Sequence, residues 1–377
     1  MIPRIPLHKI KSKLNRNRAI VLYGPRQCGK TPLLKMLTSQ LEGDYLWLNG
    51  DENADAALLS DNSRARLRRL IGKNKYLIID EAQEIEEIGK KIKIIIDSLP
   101  DVCPILSGSS AFELANKLNE PLTGRKFEIF LYPMAFSEMS AHHGLRKEIQ
   151  QIESRLIFGT YPEIVMNPGQ EKDLLTELTS SYLYKDVFKY GNIRKPKELE
   201  KIVTLLAWQV GSEVNTSEIA GEARTSSHTV DRYIDLLQKA FIIFELPAFS
   251  RNLRNEIKKN KKIYFVDNGI RNALIGNLGL LANRNDVGAL WENYLVSERH
   301  KLNGFLDYYG YKYFWRTRQQ QEIDYLEEVD GKFSAFEFKW NPRKVVTFPR
   351  TFTRNYPVDS TAVVTRDNYE SFLSEAL

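Results

Sequence analysis

The residues with the clearest chemistry lie near the start of the chain. Gly24, Pro25, Arg26, Gln27, Cys28, Gly29, Lys30 and Thr31 match G-x-x-x-x-G-K-[ST] in full. Glycines at those positions let the backbone curl so that its N–H groups face phosphate oxygens. The helix expected to follow adds partial positive charge. Lys30 is expected to reach the β- and γ-phosphates of ATP, and Thr31 to hold Mg²⁺ through its hydroxyl. Asp80 and Glu81 close an apolar run, Tyr76–Ile79. Asp80 is the candidate magnesium partner, and Glu81 is placed to orient and deprotonate the attacking water. The two motifs are expected at neighbouring ends of parallel strands. Ser107 or Ser109 could sense the γ-phosphate, with a plain turn as the alternative. Arg125, after Gly124, could act on the nucleotide of a neighbouring subunit, or be a surface arginine.

A second group lies near the other end. Glu337 and Lys339 are two residues apart in an alternating segment, so a strand places them on one face, towards whatever Asp324 faces. A Lys buried beside two carboxylates is costly unless a metal or substrate uses it. Twelve residues separate Asp324 from the Glu-x-Lys, and this spacing resembles the PD-(D/E)XK nuclease core. That resemblance implies Mg²⁺ on Asp324 and Glu337, with Lys339 positioning water or stabilising developing charge. Glu298 or Glu292, on a helix over 290–300, could add a carboxylate. Ordinary salt-bridged strand faces are the alternative.

The elements that must position these groups follow from the hydrophobic pattern. Residues 19–23, 45–48, 76–79 and 104–106 read as strands, alternating with helices over 31–41, 55–72 and 85–98. That alternation implies a parallel sheet covered on both faces. After about residue 132 the pattern changes. Residues 148–190 read mostly as helix, broken at Gly159–Pro162. Residues 215–220 start like a capped helix, with Thr216 or Ser217 ahead of the acidic Glu218, and a second helix over 226–239 carries Val230, Tyr233, Ile234, Leu236 and Leu237 as its apolar stripe. Helix, short turn, helix is a DNA-reading arrangement. Ser226, Ser227, His228, Thr229 and Arg232 would then be exposed to phosphates and base edges. The run 241–246 and the basic stretch from Arg251 could form a wing. Packing between subunits is the alternative use. A hairpin is expected around Asp330-Gly331.

Composition sets the limits. The 377 residues suggest two or three domains, with 42% hydrophobic and 27% charged residues, which excludes bulk disorder. Two cysteines exclude a disulfide scaffold and fit a reducing, cytoplasmic setting. No run of apolar residues is long enough to span a membrane. The net charge of +6 permits nucleic acid as a partner. Basic residues cluster in an N-terminal arm, Arg4 to Arg18, and in the acid-free run Arg64–Lys75; each is a solvated face or a DNA-facing stripe.

The phosphate loop, Asp-Glu-Ala-Gln at 80–83, Ser-Gly-Ser-Ser at 107–110 and Leu-Thr-Gly-Arg followed by Leu131-Tyr132-Pro133-Met134 together resemble a family of prokaryotic AAA-type ATPases. The resemblance spans nearly the whole chain. It implies an α/β fold: a P-loop NTPase (AAA-like) parallel sheet, then a helical winged-helix module, then an α/β nuclease-like domain. The expected segments are 1–140 (ATPase), 141–195 (helical lid or linker), 196–255 (winged-helix-like) and 256–377 (nuclease-like). Pro32 departs from the family's usual Thr-Thr. The expected function is ATP hydrolysis with Mg²⁺ directed at DNA, in a homo-oligomer. The alternative is an ATP-controlled switch or assembly protein with an inactive tail.

Overall fold

The computed structural model describes residues 2–108, 111–183, 195–250 and 261–374. Ser109 and most of the basic stretch from Arg251 lie outside the described residues. The chain divides into two compact units. Residues up to 133, with 239–241, form the first, and the other described residues form the second. The three segments expected after the ATPase thus share one unit. No helix among the described residues is long and apolar enough to cross a membrane.

In the first unit, α1 (Ile5–Lys13) precedes β1 (Ala19–Tyr23), α2 (Lys30–Thr38), β2 (Tyr45–Asn49), α3 (Asn53–Leu58), α4 (Arg64–Ile71), β3 (Tyr76–Asp80), α5 (Ile88–Ser98), β4 (Cys103–Gly108), α6 (Ala111–Asn119) and β5 (Lys126–Phe130). All neighbouring strands are parallel, in the order β2-β3-β4-β1-β5. The three central strands are buried along their whole length, which is why they read as continuous apolar runs. Two sequence expectations need correction. The single helix over 55–72 is two, because Ser60-Asp61-Asn62-Ser63 intervenes and the Asp61 carboxylate accepts from the Ser63 N–H at 2.7 Å, an alternative to helical bonding. The strands ending at the phosphate loop and at Asp80 are not neighbours, because β4 lies between them.

The second unit begins with short helices α7 (Phe136–His143), α8 (Leu145–Gln150), α9 (Ile152–Phe158), α10 (Pro162–Met166) and α11 (Glu171–Glu177). Helices α12 (Pro196–Trp208), α13 (Thr216–Ala223) and α14 (Ser227–Lys239) follow, then β6 (Ile243–Pro247) and β7 (Lys261–Phe265), an antiparallel pair. The cap of α13 is Asn215, ahead of the expected Thr216 or Ser217: its side chain accepts from the Ser217 N–H at 3.0 Å. All five residues of the α14 stripe are buried, and Arg232 is exposed.

The chain continues through α15 (Asn268–Leu274), α16 (Val287–Phe305), β8 (Tyr311–Arg316), β9 (Glu322–Val329), β10 (Lys332–Phe338), α17 (Arg350–Asn355), β11 (Val358–Val364) and α18 (Tyr369–Ser374). The sheet order is β11-β10-β9-β8, with only β10 and β11 parallel. Asp330 and Gly331, at φ 50° and 77°, make the two-residue turn between β9 and β10. Trp291 and Tyr294 of α16 pack with Tyr325, Phe336, Phe338 and Tyr369 in its core. The β6–β7 pair joins this sheet's edge: the Phe249 N–H donates to the Phe314 carbonyl at 2.7 Å, and Lys262 pairs with Glu322 at 2.7 Å.

Candidate functional site

The phosphate loop connects buried β1 to α2. Gly24 is required there because a Cβ would lie 2.2 Å from the Leu131 carbonyl oxygen. Gly29, at φ 96°, holds a left-handed conformation that turns the loop into the helix. Lys30 is buried, and its ammonium donates to the Gly24 and Pro25 carbonyls at 3.0 Å each, inside the curl. Cys28 is wholly buried, and burial pushes its thiol up, so it serves packing and not nucleophilic chemistry.

The Thr31 hydroxyl donates to Asp80 Oδ2 at 2.6 Å, so the side chains expected to share a magnesium ion are already joined. Ser107, at the end of the intervening β4, is fully buried and donates to Asp80 Oδ1. Its oxygen also accepts from the Glu81 N–H at 3.3 Å. Glu81 has φ 48°, a strained conformation for a non-glycine residue, and its carboxylate accepts from Gln83 Nε2 at 2.6 Å. Ser107 therefore ties both acidic residues to the neighbouring strand.

In the sequence Arg4 is one residue of a basic arm. It is buried, donating to the Cys28 carbonyl at 2.8 Å and the Tyr132 carbonyl at 2.6 Å, and so clamps the loop from below. No local pattern marks Arg4 for that role, because both partners are backbone oxygens distant in sequence. Arg125 lies elsewhere. It precedes β5, whose first residue pairs with the start of β1, so it is at the opposite end of the sheet from the loop. Its Nε donates to Asp97 Oδ1 at 3.0 Å on the surface. It does not reach this chain's own phosphate loop.

The tail residues come together across the β9–β10 pair. Lys339 Nζ donates to Asp324 Oδ2 at 3.0 Å and to Glu337 Oε2 at 2.7 Å. Asp324 Oδ2 also accepts from the Phe338 N–H at 2.8 Å. Burial, and then the Asp324 charge, push the Glu337 carboxyl up to about 7. Of the two helix carboxylates, Glu292 faces this group. Burial raises its carboxyl; Lys262 opposes that shift and Asp324 adds to it. Glu298 instead accepts from the Phe136 N–H at 2.7 Å and the Lys301 ammonium at 2.6 Å.

Two further residues join the cluster from β7. Lys262 Nζ donates to Glu292 Oε1 at 3.1 Å, and the Tyr264 hydroxyl donates to the same oxygen at 2.6 Å. Burial opposes the Lys262 charge, but Glu292 and Glu322 outweigh it and hold the ammonium above its ordinary range. The sequence offered no spacing that links Lys262 or Tyr264 to the Glu-x-Lys. Among the described residues no group of three or more His, Cys, Asp or Glu side chains is poised around a metal. Asp324 and Glu337 supply two carboxylates, and Mg²⁺ commonly takes one or two from protein.

A parallel sheet with a phosphate loop after one strand and Asp-Glu closing another is the arrangement of a P-loop nucleoside triphosphatase, and the match to an AAA domain makes it an AAA-type ATPase that binds ATP. Residues 16–140 match the model of an AAA domain, while 149–280 and 287–375 match two domains of unknown function, DUF8612 and DUF4143. The chain belongs to the same family as an uncharacterized protein of Haemophilus influenzae, with which it is 30% identical over 291 residues, 69% of this chain and 70% of that one. An uncharacterized protein of Mycobacterium tuberculosis is 25% identical over 337 residues, 88% of this chain and 72% of its own. A solved Walker-type ATPase of Pyrococcus abyssi shares the fold, with a TM-score of 0.52 at 16% identity, covering 73% of this chain and 96% of that one.

Proposed function

We propose that the protein hydrolyses ATP with Mg²⁺ and directs that cycle at DNA, with a tail built for metal-dependent cleavage of phosphodiesters. The observation that carries the ATPase reading is the 2.6 Å bond between Thr31 and Asp80 beside the loop. A hydroxyl and a carboxylate converging there are hard oxygen donors of the kind Mg²⁺ takes. Bound there, Mg²⁺ would supply positive charge to the β- and γ-phosphate oxygens. Loop N–H groups and Lys30 bind the phosphates. Glu81 orients the attacking water and accepts its proton, while Ser107 fixes Asp80 and the Glu81 backbone.

The DNA reading draws support from the helix-helix-strand-strand order of α13, α14, β6 and β7, with Arg232 exposed on the second helix. The nuclease reading draws support from the tail's helix-strand-strand-strand-helix-strand order and from Asp324, Glu337 and Lys339 converging at its centre. There Asp324 and Glu337 would hold the metal, Glu292 standing behind them, and Lys339 would position water or meet charge on the phosphate. Arg125, exposed at the far end of the sheet, is available to a neighbouring subunit's nucleotide in a homo-oligomer.

One observation favours a second reading, in which the tail is an inactive binding surface and ATP acts as a switch. The Lys339 ammonium already bridges both carboxylates. The deciding experiment incubates the protein with labelled single- and double-stranded DNA, Mg²⁺ or Mn²⁺, with and without ATP, beside Lys30→Ala and Asp324→Ala. Cleavage lost in Asp324→Ala supports the nuclease reading. No cleavage under any condition, with ATP turnover lost in Lys30→Ala, leaves the switch. Unchanged ATP turnover in Lys30→Ala rejects the ATPase assignment.

A further inference from the structure

Two stretches of the first unit contain no acidic residue: 1–41, with nine Lys or Arg, and 64–75, with six. The fold brings them to one place. Asn15 and Asn17 lead into β1, and Lys75 leads into β3. Together with β4 these strands are adjacent in the sheet, and all begin at the end opposite the phosphate loop. A cleft of about 550 Å³ lies beneath them, lined by Asn15, Asn17, Arg68, Lys73, Asn74 and Lys75. Its walls meet at β4, whose first residue, the buried Cys103, also lines it. Lys13 and Arg18, over the Phe127 ring at 5.0 and 5.1 Å, lie at the same end of the sheet.

Arg68, Lys73 and Lys75 are exposed, and none pairs with a carboxylate among the described residues. Arg66, on another face of α4, pairs with Asp61 at 3.7 Å. Asp101 is the one acidic residue lining the cleft. Cations without carboxylate partners, Lys75 lying over the Tyr76 ring at 5.6 Å, backed by amide side chains, suit a chain of phosphates with polar sugars and bases between them. No large apolar side chain is exposed on these walls to enter a bilayer.

We propose that this cleft binds the sugar-phosphate backbone of a nucleic-acid strand, at the end of the ATPase sheet opposite the phosphate loop. It takes from the DNA reading only the class of partner, and places a contact in the first unit, whereas the helix that carries Arg232 belongs to the second.

The test uses the full chain with Arg68→Gln, Lys73→Gln and Lys75→Gln combined. Fluorescence anisotropy of labelled single-stranded and duplex DNA is titrated across a range of salt, with Arg232→Ala in parallel. The triple variant should lose about tenfold or more in affinity, and its log K against log salt slope should fall by about 2 to 3. An unchanged melting temperature shows that it folds; otherwise each single variant carries the test, with a slope change of about 1. Unchanged affinity and slope overturn the cleft, even if Arg232→Ala weakens binding. Loss in the cleft variant alone supports the cleft and counts against the helix. Wild type that binds neither DNA overturns both. Weakened binding to polyglutamate or anionic vesicles, with DNA binding intact, also overturns the proposal.

Discussion

Replacing Arg4 with alanine would remove a guanidinium that is 8% exposed and holds the Cys28 and Tyr132 carbonyls at 2.8 and 2.6 Å. Hydrogen bonds from a charged donor contribute about 1.5–3 kcal/mol each, and two bonds from one group do not add in full, so a loss of about 3 kcal/mol is expected. The first unit has about 130 residues. At about 2.1 cal/mol/K of unfolding entropy per residue, that loss lowers its transition by about 10 °C. A second effect falls on the loop. The Cys28 carbonyl lies between Gln27 and Gly29, both at positive φ, so releasing it loosens the cradle before phosphate arrives. Nucleotide affinity should fall about tenfold from lost preorganisation. Scanning calorimetry of the full chain and isothermal titration with ATP and Mg²⁺ read the two effects. Arg4→Lys keeps the charge but not the planar fork, and should fall between wild type and alanine. A transition shifted by less than about 2 °C, with unchanged ATP affinity, would refute the clamp.

Glu81→Gln should bind ATP as wild type does and lose about 100-fold or more in turnover, read by phosphate release; equal turnover would remove Glu81 from the base role. Lys339→Ala leaves Asp324 and Glu337 facing each other, and should cost about 2 kcal/mol in stability without metal. Mn²⁺ should raise the melting temperature of that variant more than that of wild type, and an equal response would argue against a metal at the two carboxylates. His300 stacks on Phe244 at 4.2 Å, and burial, then the Lys312 and Lys301 charges, lower its pKa from 6.5 to about 3. The unfolded imidazole takes up its proton first, so stability is full above about pH 6.5 and falls as pH drops towards 3. From about pH 7 to 5 the loss would be about 2 kcal/mol for a fully buried ring, and about 1 for this partly exposed one. His300→Phe should flatten the urea midpoint against pH over that range; an unaltered slope would assign the acid sensitivity elsewhere.

The sequence by itself determined the phosphate loop, because its parts are local: a buried strand, two glycines, Lys30 and Thr31 follow one another without a gap. The same holds for the β9–β10 turn, where Asp330-Gly331 supplies the left-handed pair a two-residue hairpin needs. The Glu-x-Lys was legible because strand period alone puts Glu337 and Lys339 on one face. Strand order was not legible, since it depends on how crossovers pack, and it put β4 and Ser107 between the loop and Asp80. Nor was the choice between Glu292 and Glu298, six residues apart on one helix, whose faces are assigned by what packs against each. Arg4, Lys262 and Tyr264 carry no motif at all. Their roles come from backbone oxygens and carboxylates distant in the chain, brought within 3.1 Å only by the tertiary fold.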